Sequence, residues 1–455
     1  MTFTRELRHL WAGFLLAFAV MMGAAAYWAV VGADSILLRD DNPRRVEFER
    51  RILRGAVFSE DGVMLAQTTA QGINRFVARV YPHPSAYSAL GYFSFRYGAS
   101  GAEQAYNALL RGDTYAQADP FGAYWQEQLL HQPRLGADVR LTLSARLQDV
   151  VYAQLAGHQG VGIISDANSG ALLAMVSLPT YDPNTLDADW EALTQAEGQP
   201  FFNRVTQGQY QMGGLATLPL MALASLSGYD VNAPNPQAGA PVALAALTLA
   251  CRQTPARETL SLLEAFAVGC PAPFVRLLDT LNADAVETFF STLALDAPPL
   301  VEGWTRNEEP ARLLTSAPFL DNALGQGAWT ANPLAVARLL NAVATDGTSP
   351  SFRMLEAVRP PQAQDWQSVP ALQPRTGLLT AQTASALRDW LLKASPIANA
   401  GGLVALAYSG DDVQTWFVGY VREGGQAWSI VLVLEHERAQ DLITEMAQAI
   451  VQALP

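Results

Sequence analysis

The sequence predicts an α+β protein with an antiparallel sheet, held to a membrane by one N-terminal helix. Three observations support this class. An uncharged apolar run occupies residues 10–31, a pair of strands begins at Gly160, and two more strands and a helix close the chain after a mostly helical middle. Hydrophobic residues make up 50% of the 455 residues and charged residues 16%, which excludes an intrinsically disordered chain.

The apolar run at residues 10–31 predicts a transmembrane anchor, so that residues 1–33 form the cytoplasmic N-terminus and the membrane span. As a helix, its 22 residues would be about 33 Å long, enough to cross the hydrocarbon core of a bilayer. Arg5 and Arg8 precede the run, which favours a cytoplasmic N-terminus and an exterior location for the rest of the chain. A cleaved signal peptide is the alternative, because residues 24–26 are alanines, but the run exceeds the usual signal core of about 7–15 residues.

Residues 34–140 are predicted to form a small N-terminal module that begins with a charged stalk at residues 34–50. Apolar runs at 52–58 and 63–66 flank a turn centred on Asp61 and predict a β-hairpin. Short helical patterns follow and end near Gly112.

Residues 141–455 are predicted to form the larger α+β domain. It opens with two strands on either side of a turn at residues 167–170, whose Asn-Ser-Gly sequence is typical of a hairpin. The predicted helices are residues 258–281, 332–346, 380–394 and 440–454, and the predicted closing strands are 414–421 and 427–435. Strands before and after a helical middle favour one antiparallel sheet with a helical subdomain.

The charge of the chain argues against a nucleic-acid partner. There are 29 Lys and Arg against 42 Asp and Glu, a formal net charge of −13, so a phosphate backbone would be repelled. Only one of the basic residues is a lysine, Lys393. Two cysteines and five dispersed histidines lack the spacing of a zinc site, and we expect neither a metal nor another cofactor.

Five short motifs follow one another along the chain. They are RGAVF with DG and LA at 54–66, YP with GY and YGASGAE at 81–103, GALLAMVSLPTYDPN at 170–184, NRVTQG at 203–208 and LGQG at 324–327. In order and spacing the motifs resemble those of class B penicillin-binding proteins, the membrane-anchored D,D-transpeptidases that cross-link peptidoglycan. The resemblance covers roughly residues 50–435. It implies a β-lactamase/transpeptidase-like domain behind a small N-terminal module, and a place in bacterial cell-wall synthesis.

The resemblance implies acyl transfer by three motifs, Ser-x-x-Lys, Ser-x-Asn and Lys-Thr-Gly. The serine hydroxyl is a weak nucleophile, and a lysine three residues later shares its helix face and can take its proton. The second motif extends the proton relay, and the third binds the substrate carboxylate and lines the oxyanion site. Removal of such a catalytic unit lowers the rate by about 10⁶-fold.

The chain departs from the family at the first motif. Counting from Asn203, the nucleophile position holds Gly214 and the base position holds Thr217, and neither residue can do that chemistry. Lys393 has a tryptophan three residues before it, so Ser-x-x-Lys occurs nowhere in the chain. Pro219 stands in the former catalytic helix and removes a backbone donor, which favours a later helix start.

The chain also lacks the other two motifs. Gly269-Cys270-Pro271 stands in place of Ser-x-Asn, and no asparagine in the chain has a serine two residues before it. The Lys-Thr-Gly strand has two registers, with Leu403 or Ala407 at the lysine position. We therefore predict no catalytic residue and a partly collapsed, apolar former site. Its degenerate positions are Gly214, Thr217, Gly269, Pro271 and Leu403.

Two further features have open interpretations. A cleft lined by Tyr210, Trp329 and Trp416 is a candidate binding site for a glycan or peptide. Cys251 and Cys270 would gain about 3 kcal/mol by closing a 19-residue loop in an oxidising exterior, or they remain two buried free thiols.

The sequence therefore leads to an expected function with two alternatives. We expect a single-pass protein of the bacterial cell membrane, with the bulk of the chain outside the cytoplasm. We expect a non-catalytic scaffold or regulator that works with other cell-wall synthesis proteins in division or elongation, in contact with the membrane and with peptidoglycan. The alternatives are an active D,D-transpeptidase with an unrecognised nucleophile and a binding module for peptidoglycan stems.

Overall fold

The N-terminal segment is a single helix, Phe3–Val30, which confirms the predicted N-terminal helix. Its segment Leu7–Trp28 is long and apolar enough to cross a membrane, and none of it is buried against the rest of the protein. In this computed structural model the described residues are 3–30, 52–71, 76–130, 132–297, 299, 301–304, 317–371, 375–410 and 412–455. The stalk predicted at residues 34–50 lies outside them.

The N-terminal module contains a six-stranded sheet. In order across the sheet, the strands are Gln367–Ser368, Leu355–Arg359, Asp138–Leu141, Val57–Phe58, Met64–Gln71 and Phe76–Val80. The hairpin predicted around Asp61 is confirmed, with Val57 opposite Ala66. Two strands of this sheet come from beyond residue 350, so the sheet extends across the boundary expected at residue 140.

The short elements of the module surround a buried ion cluster. The helices are Tyr87–Leu90, Gly101–Ala105, Asn107–Leu110, Asp113–Ala118 and Pro120–Tyr124, followed by a π-helical turn, Trp125–Leu129, and the two short strands are Phe93–Ser94 and Gly98–Ala99. The Glu103 side chain is fully buried and accepts hydrogen bonds from Arg54 Nη2 at 2.7 Å and from Arg79 Nε at 2.7 Å. Burial alone would raise the pKa of Glu103, but the two guanidinium groups hold it below its usual value.

The larger domain contains a five-stranded antiparallel sheet. In order across it, the strands are Gly401–Ser409, Asp412–Glu423, Gln426–Leu434, Gly160–Asp166 and Leu172–Leu178. The hairpin predicted at residues 167–170 and the two closing strands are confirmed. The strand Gly401–Ser409 adds a third member to that closing group, and we call it the edge strand because it has a neighbour on one side only.

Helices cover both faces of the five-stranded sheet. On one face lie Ala145–Leu155 and Gln440–Ala453, whose Val151 and Ile450 pack with Ile430 of the sheet. The other face contacts Pro333–Ala344 and Ala381–Ala394. The helices and the sheet thus form three layers, and each layer interface buries its own apolar core.

The helical middle differs from the sequence prediction at one point. The run predicted at residues 258–281 is two helices, Leu262–Val268 and Ala272–Thr280. Gly269 ends the first helix with φ of 67°, a left-handed conformation that suits glycine, and Pro271 precedes the second. The remaining helices of this part are Leu186–Gln195, Arg204–Gln207, Thr217–Ser227, Ala283–Leu293 and Phe319–Ala323. Its short strands form three pairs, which are Tyr210–Gln211 with Thr330–Ala331, Val242–Ala243 with Thr248–Leu249, and Thr348–Ser349 with Thr376–Gly377.

Candidate functional site

The α-helix that follows the NRVTQG motif begins at Thr217, after position 214. A 3₁₀ turn, Gly213–Ala216, precedes the α-helix Thr217–Ser227. Pro219 therefore lies in the first turn, where its missing N–H would have had no partner within the helix. The sequence expectation of a delayed helix start agrees with this geometry, and position 214 lies before the helix rather than inside it.

The two adjacent glycines at the start of this turn have different environments. Gly213 has φ of 51°, and a Cβ built on it would stand 2.1 Å from the carbonyl oxygen of Leu406, so only glycine fits. Gly214 has ordinary backbone angles, and a Cβ there would be 3.4 Å from the Ala405 side chain and 3.8 Å from the Leu406 nitrogen. Position 214 thus has room for a side chain, next to the backbone of the edge strand.

The edge strand presents backbone groups to this region. The N–H of Tyr408 donates to Gln326 Oε1 at 3.2 Å. Because backbone groups alternate along a strand, the amide of Leu406 points to the same side. Leu403 is among the residues that line the space, whereas Ala407 is fully buried with its Cα and Cβ against the Cβ position of Gly213. Of the two residues that the sequence offers for the lysine position, Leu403 lines the space and Ala407 does not.

A disulfide forms the opposite wall. Cys270 is bonded to Cys251, with the two sulfur atoms 2.06 Å apart. Beside it the Arg252 N–H donates to the Gly269 carbonyl at 3.0 Å. A Cβ at position 269 would stand 2.8 Å from the Cβ of Arg252. The segment Gly269-Cys270-Pro271 and the loop before it are thus joined side by side.

These walls enclose an open space of about 410 Å³, which we call the cleft. The five positions that the sequence predicts to be degenerate all line it; they are Gly214, Thr217, Gly269, Pro271 and Leu403. Most of this lining is apolar, as the sequence leads one to expect, but it also includes Arg252, Gln326 and Arg438, and the space is open rather than filled.

The polar lining of the cleft is incompletely hydrogen-bonded. Arg252 Nη2 donates to the Ala267 carbonyl at 2.7 Å, and burial lowers the pKa of this arginine. Among the described residues, Arg252 Nε and Gln326 Nε2 are buried without a hydrogen-bond partner. Buried donors of this kind are usually satisfied, so a ligand with acceptor oxygens would suit the cleft.

The aromatic cleft expected from the sequence does not form. Trp416 is fully buried, and its indole N–H donates to the Gln211 carbonyl at 3.1 Å. Tyr210 packs edge-on against that ring and donates its hydroxyl to Glu435 at 2.5 Å. Trp329 packs against Phe290. These three aromatics are packing residues, so the prediction that they line a binding site is wrong.

The sequence reasoning also missed the arginines of the cleft. Gln326 belongs to the quoted LGQG motif, but nothing in the local sequence marks Arg252 or Arg438. Adjacency to Cys251 was the one available signal for Arg252, because a disulfide to Cys270 places the neighbours of both cysteines together. No group of three or more His, Cys, Asp or Glu side chains in the described part of the chain is arranged to hold a metal ion.

Two family models match the chain. The penicillin binding protein transpeptidase domain matches residues 160–395, and the penicillin binding protein A dimerisation domain matches residues 54–139. The peptidoglycan D,D-transpeptidase PbpA of Mycolicibacterium smegmatis is 25% identical over 422 residues, which is 88% of this chain and 84% of that protein. MrdA of Escherichia coli is 32% identical over 138 residues, 29% of this chain and 22% of that protein.

Solved structures show the same fold. The imipenem acyl-enzyme complex of penicillin-binding protein A from M. tuberculosis superposes with a TM-score of 0.79 at 21% identity, covering 89% of this chain and 99% of that one. The D,D-transpeptidase domain of the peptidoglycan glycosyltransferase from Eggerthella lenta gives 0.74 at 21% identity, covering 89% and 98%. Together with the family model that spans more than half of the sequence, these findings show that the chain belongs to the penicillin-binding protein transpeptidase family.

Proposed function

We propose that this chain is a membrane-anchored member of the family that takes part in cell-wall synthesis without acyl transfer, as a scaffold or regulator for other cell-wall synthesis proteins. Residues 1–33 would anchor it in the bacterial cell membrane, residues 34–140 would form the N-terminal module, and residues 141–455 the transpeptidase-like domain. The relatives are named D,D-transpeptidases, so the proposal separates this chain from them in chemistry but not in fold.

The composition of the cleft is the observation that supports the proposal. None of the described residues that line it is Ser, Lys, His, Asp or Glu. Its two cysteines are joined to each other, which leaves the hydroxyls of Thr217, Thr248 and Tyr408 as the only nucleophiles. A hydroxyl needs a neighbouring base for acyl transfer, and guanidinium groups, protonated at neutral pH, do not act as bases.

Penicillin labelling tests the absence of acyl transfer. Incubation of the full chain with excess penicillin, followed by intact-mass analysis, should show no adduct. A catalytically active PbpA relative treated in parallel serves as the positive control. A stoichiometric adduct on this chain would contradict the proposal and favour the alternative of an active transpeptidase with an unrecognised nucleophile.

The open cleft favours a second candidate function, non-covalent binding of peptidoglycan stems. The cleft retains about 410 Å³, an edge strand with outward backbone groups, and two arginines, Arg252 and Arg438. Guanidinium groups bind carboxylates with charge-assisted hydrogen bonds. Calorimetric titration with a synthetic stem pentapeptide tests this candidate. Binding that is lost in Arg438→Ala would support it, and heats no larger than those of dilution would exclude it.

The anchoring part of the proposal has its own test. N-terminal sequencing of the protein extracted from membranes should begin at or near residue 1, because we expect residues 10–31 to stay attached. A protease added to intact spheroplasts should digest the region after Asp34 and spare the N-terminus. A mature protein that starts just after Ala26 would show instead that the segment is a cleaved signal.

A further inference from the structure

Exposed apolar side chains are concentrated in one short segment of the N-terminal module. Outside the anchor helix, the described residues include six large apolar side chains that are strongly exposed. Four of them are Phe121, Trp125, Leu129 and Leu130, with exposures of 76%, 49%, 51% and 51%. The other two, Leu226 and Leu392, lie far from these in the sequence. We call the group of four the apolar face.

The apolar face follows from helical spacing. Pro120–Tyr124 is an α-helix and Trp125–Leu129 continues it as a π-helical turn. Positions 121, 125 and 129 are four residues apart and therefore share one side. The rings of Phe121 and Trp125 are stacked with centroids 6.4 Å apart. Phe121, Trp125 and Leu129 thus lie on one side of the helix, and Leu130 follows Leu129 directly.

The arginine of this segment, Arg134, is paired with two acidic groups. Arg134 Nε donates to Glu127 at 2.5 Å, and Arg134 Nη1 donates to Asp113 at 2.5 Å. Asp119 accepts the N–H of Gly122 at 2.9 Å at the start of the helix. These bonds fix the segment to the body of the module. They also leave no cluster of basic side chains among the described residues of the segment that would direct the apolar face to an anionic partner.

The base of the segment lies where the linker from the anchor joins the module. The Leu53 N–H donates to the Arg134 carbonyl at 2.9 Å, and the Gly136 N–H donates to the Leu53 carbonyl at 2.8 Å. Leu130 is four residues before Arg134, so it lies within about 14 Å of this junction along the chain. The apolar face is therefore on the part of the module that the anchor tethers.

We propose that the apolar face inserts into the lipid–water interface of the membrane that holds the anchor. This inference rests on the membrane anchoring in the proposed function. Tryptophan and phenylalanine are favoured at that depth, and apolar helix faces of this kind lie in the interfacial plane. Insertion would fix the orientation of the module on the membrane. Because the described residues of the segment contain no cluster of basic side chains, the contact should not require anionic lipid and should persist at high salt.

A second copy of the chain is the competing occupant, since residues 54–139 match a family model described as a dimerisation domain. An apolar face between two copies would be shielded from water and also from lipid. The two occupants therefore differ in one measurable property, access of the face to lipid-borne quenchers.

Depth-dependent fluorescence quenching tests the proposal on the full chain in neutral phosphatidylcholine vesicles. A thiol-reactive fluorophore is placed on Phe121→Cys or Leu129→Cys, and doxyl-labelled lipid is the quencher. Leu226→Cys and Leu392→Cys are matched controls, because those side chains are 49% and 52% exposed elsewhere in the protein. Val20→Cys reports independently on whether the anchor is in the bilayer.

We expect labels at 121 and 129 to be quenched several-fold more by doxyl lipid than labels at 226 and 392, with no change in high salt. The double substitution Trp125→Ser and Leu129→Ser should remove the quenching of a label at position 121 and leave the quenching of a label at position 20 unchanged. Quenching at 20 with none at 121 and 129 would overturn this proposal while leaving the anchor intact. No quenching at 20 would contradict the anchor itself. Protection of position 121 from both lipid and aqueous quenchers would assign the face to a second copy and overturn the lipid contact.

Discussion

The Thr217 hydroxyl donates a 2.6 Å hydrogen bond to the carbonyl oxygen of Gly214. The nucleophile and base positions inferred from the sequence are thus in contact, but through a side chain and a backbone carbonyl. The bond satisfies the hydroxyl at the point where the 3₁₀ turn becomes an α-helix. The geometry of one helical turn is retained at this site, and the groups that would use it for proton transfer are absent from these two positions.

Two neighbouring glycines should respond in opposite ways to alanine. Gly214→Ala should raise the free energy of unfolding by about 0.4–1 kcal/mol, because the site has ordinary backbone angles and alanine restricts the unfolded chain. Gly213→Ala should destabilise the protein, because its φ is 51° and its Cβ would overlap the Leu406 carbonyl oxygen. Thermal melting of both variants in the same detergent measures the effect. Equal destabilisation would mean that position 214 has no room for a side chain.

Restoring the first motif alone should not restore acylation. In Gly214→Ser with Thr217→Lys, the serine fits, but the lysine enters a half-buried position with no asparagine or serine of the second motif beside it. We expect the free energy of unfolding to fall by roughly 1–3 kcal/mol, because the lysine amine is poorly hydrogen-bonded. We also expect no penicillin adduct by intact mass. The single variant Gly214→Ser separates the two substitutions. Uptake of label by the double variant would show that the cleft remains organised for catalysis.

The sequence predicted the elements whose signals are local. The hairpins around Asp61 and at residues 167–170 depend on turn residues and short-range geometry. The break near Gly269 was not predicted, although a glycine and a proline stand there. The pairing of Leu355–Arg359 with Asp138–Leu141 had no such signal, because the two strands are more than 200 residues apart. The burial of Trp416 depends on helices covering both faces of the sheet, which cannot be inferred from its strand alone.

The open space of the cleft could not be predicted from the side chains that line it, because backbone contacts hold its walls apart. The Gly213 N–H donates to the Gly325 carbonyl at 2.7 Å, and the disulfide fixes the opposite side. Substituting side chains on walls held by backbone contacts changes the lining and leaves the walls in place. The five positions that the sequence singled out line these walls, but the sequence did not reveal Arg252 and Arg438.

The disulfide beside the cleft should stabilise the fold. Non-reduced protein should be lighter by two hydrogens than reduced protein, and Cys251→Ser with Cys270→Ser should lower the free energy of unfolding by about 3 kcal/mol, as expected for a 19-residue loop. Intact mass and thermal melting measure the two effects. Reductant should lower the melting temperature of the native protein and leave that of the double variant unchanged. Two free thiols in protein purified without reductant would contradict this prediction.

The buried carboxylate of the N-terminal module should contribute far more to the free energy of unfolding than a partly exposed one. Glu103 is fully buried between Arg54 and Arg79, so Glu103→Gln leaves two guanidinium groups without a counter-charge, at a cost on the order of 3–5 kcal/mol. Glu356→Gln is the matched control, because its pair with Arg140 is about one-third exposed and should contribute less than about 1 kcal/mol. Chemical denaturation of both variants at neutral pH gives the comparison, and similar losses would contradict it.

Glu103 should also make the stability of the protein depend on pH in the acidic range. The two arginines hold the pKa of folded Glu103 below its ordinary value of 4.5, so the folded state binds its proton less readily than the unfolded state. Its stabilising contribution is then fully present above pH 4.5 and is lost as the pH falls from 4.5 towards the folded pKa. We expect the difference in melting temperature between native protein and Glu103→Gln to be constant above that pH and to narrow below it. Titration of other carboxylates affects both proteins alike, so it cancels in this difference. A gap that stays constant through the acidic range would show that Glu103 acts by packing and hydrogen bonding rather than by its charge.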